Sequence, residues 1–137
     1  MNNKEIEEFL NRELEARARY MICLTKIIRE NIIGDDLSDR DLMVGLFALN
    51  YNLNPRDVLD DDTTKDGNAY GLYDDLYIVV KTLYRLMLNN EKIKKNIEEY
   101  LRNENLKDNF AEVMSACKQL LGPEKIAILD SAFSIGI

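Results

Sequence analysis

Residues 57–75, DVLDDDTTKDGNAYGLYDD, concentrate the side chains best able to do chemistry: seven Asp and one Lys, a net charge of −6. The whole chain carries 18 Lys+Arg against 25 Asp+Glu, a formal −7, so the remainder is a nearly neutral scaffold. Like charges crowded into one stretch repel, and solvent, a cation or a buried arginine must offset that repulsion. The carboxylates can cap helix N-termini and bond the loop backbone, with Gly71 allowing a tight approach. They can instead hold a hard divalent cation, calcium or magnesium. Asp62, Thr64 and Asp66, followed by Gly67, take the first, third, fifth and sixth positions of an EF-hand-like loop, although Tyr73 stands at the twelfth, where a bidentate Glu belongs. A carboxylate pair could also serve acid–base hydrolysis, but no partner nucleophile accompanies it.

Two further features adjoin this segment. Tyr70, Tyr73, Tyr77 and Tyr84 fall within about 60° of one another at helical spacing, and tyrosine beside acidic residues suits a surface that binds a basic protein. Arg17 interrupts an apolar stripe, which calls for an outward-snorkelling stem or a buried ion pair with Asp57, Asp74 or Asp75. The chain has no histidine. That removes histidine-activated nucleophiles and most transition-metal sites. Cys23 and Cys117 lie far apart on apolar faces and read as core residues.

Tyr51, Asn54, Pro55, Asp57, Val58, Leu59 and Asp61, followed by Gly71, Asp74, Asp75 and Leu76, resemble the signature of the YkvA-like domain of unknown function. That signature is an apolar helix ending in Y-x-x-S-P-x-D-L-I-P-D, a variable loop, and G-x-x-D-D-L opening a second apolar helix. The likeness covers residues 42–88, with Asn54 in place of the usual Ser and Asp60 in place of the second Pro. It makes Asn54, Pro55, Asp57, Asp61, Gly71, Asp74 and Asp75 the motif residues. It implies a helical hairpin core, of a kind found in small bacterial and membrane-associated proteins, and carries no established catalytic activity.

The elements that must position these residues are helical, because apolar residues recur at three and four and nowhere alternate. A first helix is expected over 4–33, with Ile6, Leu10, Leu14, Met21, Leu24, Ile28 and Ile32 on one stripe, ended by Gly34. A second, capped by Ser38 or Asp39, carries Leu42, Leu46, Phe47 and Leu49 towards Tyr51. A short turn over 55–59 follows. Further helices are expected over 70–89, 91–102, 106–121 and 124–133, that over 106–121 stopped by Gly122-Pro123. The fold class is therefore all-α: one domain over 1–137, an irregular or orthogonal bundle of five to seven helices.

Together these features predict a non-enzymatic binding or regulatory module that presents the Asp loop and the Tyr stripe to a protein partner, probed best with a basic one. Two alternatives stand beside it, a divalent-cation-binding protein using residues 57–75 and an acidic inhibitor that mimics nucleic acid. The excess of carboxylates argues against direct binding of a phosphate backbone. The expected cofactor is none, or calcium or magnesium under the cation reading. No stretch reaches the roughly 18 apolar residues of a membrane span, and the opening MNNKEIEEF lacks the pattern of a signal peptide. A cytoplasmic location is expected, with peripheral membrane contact left open.

Overall fold

A computed structural model of the chain describes residues 2–32, 34, 36–53 and 70–133. Among them are seven helices and no strand: α1 (Asn3–Leu14), α2 (Arg17–Asn31), α3 (Asp39–Leu53), α4 (Tyr70–Asn89), α5 (Glu91–Asn103), α6 (Phe110–Leu121) and α7 (Pro123–Phe133). The bundle is built around α4, which packs against α1, α2, α3, α5 and α6. Every residue from Tyr73 to Leu83 is buried. A helix covered on all sides needs apolar residues around its whole circumference and partners for each polar one. Leu76, Ile78, Val79, Val80 and Leu83 meet the first demand, each fully buried.

The single first helix expected over 4–33 is two helices. α1 opens with a reciprocal capping box, in which the Glu5 N–H donates to Asn2 Oδ1 at 2.9 Å and the Asn2 N–H to Glu5 Oε1 at 3.3 Å. It ends where the N–H groups of Glu15 and Ala16 turn back to the carbonyls of Arg12 and Glu13, at 3.2 and 3.0 Å. Neither Pro nor Gly causes this break. Tyr20 does much to fix it: the ring meets Phe110 edge-on at 5.5 Å, and the hydroxyl donates to Glu13 Oε2 at 2.7 Å across the break. Asn109 Nδ2 donates to the other oxygen of Glu13 at 2.9 Å. The apolar face turns at this point, so α1 buries Ile6 and Leu10 while α2 buries Tyr20, Cys23, Leu24, Ile27 and Ile28. Ile32, expected on the buried stripe, is 60% exposed.

The α5–α6 junction also differs from expectation. The N–H of Leu106 donates to the Leu101 carbonyl at 2.8 Å and that of Asn105 to the Arg102 carbonyl at 3.1 Å. Asn105 has φ 55°. This is a Schellman stop with Asn in the left-handed position. Leu106 therefore closes α5, and α6 begins four residues later at Phe110.

Ser38 caps α3 as expected, its Oγ accepting from the Asp41 N–H at 3.1 Å. The apolar residues of α3 divide between a buried and an exposed face. Val44, Ala48 and Tyr51 point inward, Leu42 and Leu49 are half-buried, and Leu46 and Phe47 face out. Gly45 sets the helix close on α2: a Cβ there would lie 2.8 Å from Ile28 Cδ1. That approach turns the small residues Gly45 and Ala48 inward and the bulky ones outward.

Candidate functional site

The second half of the sequence motif lies at the start of α4, beside the last turn of α3. Asp74 is fully buried. Its Oδ2 accepts a hydrogen bond from the Tyr51 hydroxyl, and its Oδ1 accepts from the Asp75 N–H at 3.0 Å. Asp75, 6% exposed, faces the Arg17 guanidinium at 3.7 Å. The same guanidinium donates to Asn52 Oδ1 at 2.9 Å. Arg17 thus ties α2 to α3 and α4. Its side chain keeps 24% exposure, so it is half-buried rather than enclosed. Tyr51 and Asn52 stand just before residues 54–69, and Asp74 and Asp75 just after them. The end of α3 and the start of α4 are consequently tied to each other.

Asn54, Pro55, Asp57, Asp61, Asp62, Thr64 and Asp66 lie outside the described residues, as does the short turn expected over 55–59. Gly71 and Tyr70 open α4. Among the described residues no group of three His, Cys, Asp or Glu is placed to hold a metal ion.

Of the tyrosine stripe, the described side chains of Tyr73, Tyr77 and Tyr84 do not form a surface. Tyr73 and Tyr77 are 2% and 0% exposed, and Tyr84 is half-buried. The reason is the central place of α4: the face that carries them is covered like the others. The phenols of Tyr73 and Tyr77 each donate to a side chain of a neighbouring helix. Tyr73 donates to Asn11 Oδ1 at 2.6 Å, and Tyr77 donates to Asp130 Oδ1 on α7 at 2.8 Å. Lys81, only 4% exposed, reaches the same Asp130 oxygen at 2.8 Å and the Tyr77 oxygen at 3.1 Å. One turn further on, Arg85 Nε meets Asp41 Oδ1 at 3.1 Å. α4 is therefore locked to α2, α3 and α7 through buried or half-buried polar pairs.

Both thiols are enclosed. Burial pushes Cys23 and Cys117 up to about 12, so each is a protonated core group at neutral pH. Cys23 and Ile27 border a polar cavity of about 220 Å³ between α2 and α5, lined also by Lys26, Glu30, Glu99 and Tyr100.

What reaches solvent is the outer face of α3. Met43, Leu46 and Phe47 are 55%, 48% and 48% exposed. Their spacing of three and four puts them on one side of the helix. Periodicity alone lists Leu46 and Phe47 among the apolar residues of this helix without saying which way they point. The buried Lys81–Asp130 pair also escaped it. The available signal was Lys81 one turn after Tyr77, inside a stretch otherwise apolar on every side.

No described helix is long and apolar enough to cross a membrane. No protein family, curated protein or solved structure matches the chain.

Proposed function

We propose that the chain is a helical binding module that docks a basic protein surface through the outer face of α3. The observation that carries this reading is the cluster of Met43, Leu46 and Phe47, three large apolar side chains about half exposed on successive turns. Single exposed apolar residues are ordinary, whereas a contiguous helical row matches the anchors used when helices pair with a groove or with one another. Charge selects the partner. In the chain α3 is followed by residues 57–66, with five Asp against one Lys, a net −4, so a positively charged partner is attracted and steered. A second copy of the chain, with the same formal charge of −7, is disfavoured by repulsion. The resemblance to the YkvA-like domain belongs to the same proposal, supported by the motif's Asp74 and Asp75 sitting at the start of a long buried helix.

An amphipathic helical peptide of about 18 residues built from Leu and Lys, and its Leu/Glu counterpart, provide the test. Titration followed by NMR should show the Lys peptide shifting the amides of α3, with weaker binding at high salt and none for the Glu peptide. Phe47→Asp should weaken the Lys peptide by ~10-fold or more and leave the unfolding free energy within ~0.5 kcal/mol. Equal binding of the two peptides, or indifference to Phe47→Asp, would sink the reading.

A further inference from the structure

We infer that α7 is a hinged latch, able to swing away from the bundle as a unit while the other helices stay folded. Its apolar hold is small: of its described side chains only Ile126 and Leu129 are buried, and Ile128 is 48% exposed. It rests chiefly on α6 and α3 and joins α6 through one residue, Gly122, whose φ of 88° lies in the left-handed region that glycine adopts freely. Pro123 follows at the first position of α7 and restarts the helix independently. A single permissive residue between two helices is the anatomy of a hinge.

The polar hold is concentrated at one point. Asp130 Oδ1 accepts from both Lys81 Nζ and the Tyr77 hydroxyl at 2.8 Å, and Lys81 also lies 5.4 Å from the centre of the Tyr77 ring. Lys81 is buried to 4% exposure, while the Asp130 side chain keeps 24%. Closure therefore shuts a cation and a phenol inside and leaves their carboxylate at the rim. Opening hydrates all three together, which separates the latch from the apolar packing that holds α4 to α6. The opened state presents Lys81 and Tyr77, which the closed state hides.

Hydrogen exchange measured by mass spectrometry on the full chain tests this directly. In the unmodified protein the α7 amides should exchange through an opening that leaves α4 and α6 protected. Asp130→Asn should speed α7 exchange by ~10-fold or more without changing α4 and α6, since it weakens charge-assisted bonds confined to the latch. The triple change Tyr77→Phe, Lys81→Met and Asp130→Leu should restore slow exchange, because an apolar cluster can replace a buried ion pair once no hydroxyl is left unpaired. If α7 and α4 lose protection together in the unmodified protein, or if Asp130→Asn accelerates every helix alike, α7 belongs to the single cooperative core and the latch is wrong.

Discussion

Arg17 shows how much one residue can carry. A cation within an apolar stripe has few places to go, and here it lies 3.7 Å from the Asp75 carboxylate and 2.9 Å from the Asn52 amide oxygen. Its value lies between two limits, under ~1 kcal/mol for an exposed pair and ~3–5 kcal/mol for breaking a buried one. With the arginine side chain 24% exposed and that of Asp75 only 9%, Arg17→Ala should cost ~2 kcal/mol in urea unfolding, because Asp75 is left beside less positive charge. In an Asp75→Asn background the same substitution should cost ~1 kcal/mol less. Additive costs would show that Arg17 acts independently of Asp75, through its bond to Asn52 and its packing. This residue was legible in the sequence because its charge conflicted with its position. The tyrosines carried no such conflict: spacing placed Tyr73 and Tyr77 on one side of α4, but only the neighbouring helices decide that this side is covered.

At the scale of the element, the contact of α3 with α2 rests on Gly45. Alanine there gains up to ~1 kcal/mol of helix propensity. The added methyl, however, would lie 2.8 Å from Cδ1 and 3.2 Å from Cγ1 of Ile28, itself only 4% exposed. Gly45→Ala should therefore destabilise by ~1 kcal/mol despite the propensity gain. Combined with Ile28→Val, which deletes the clashing Cδ1, it should show a favourable coupling of ~1 kcal/mol in a double-mutant cycle. A stabilising single change would mean that the helices separate freely. Gly45 also explains why the buried face of α3 is not legible in hydropathy: that measure weights Leu46 and Phe47, whereas close helix approach selects Gly45 and Ala48. Strongly periodic α4 was placed from sequence with its ends intact, since Asn90 caps α5 by accepting from the Ile93 N–H at 3.0 Å. The breaks at Glu15–Ala16 and Asn105 escaped notice for a physical reason. The first depends on Tyr20 packing against Phe110, a contact far away in sequence, and the second on an Asn doing what Gly usually does.

At the scale of the whole molecule, a core built around a fully enclosed helix seals protonated groups away from water, and this sets its response to alkali. Cys23 and Cys117 are pushed by burial from 9.0 to about 12. Tyr20 and Tyr77 are raised as well, by burial first and then by hydrogen bonds to Glu13 and Asp130. Below pH 9 the thiols are protonated in the folded and unfolded chains alike, and stability is fully present. As pH rises towards the folded value the unfolded chain releases these protons while the folded one retains them, so unfolding gains ~1.4 kcal/mol per pH unit for each thiol. The tyrosines join only above their ordinary value of 10.0. Between about pH 9 and 10 the slope of unfolding free energy therefore belongs chiefly to the two thiols, together with the rising self-repulsion of an acidic chain. Replacing both cysteines by alanine should lower stability at pH 7 by ~1–2 kcal/mol through lost packing, yet flatten that slope, since alanine has no proton to release. The self-repulsion is common to both proteins and cancels in the comparison. An unchanged slope in the double variant would mean that the thiols ionise as readily inside the bundle as in the unfolded chain, and that the enclosure around α4 is looser than its burial implies.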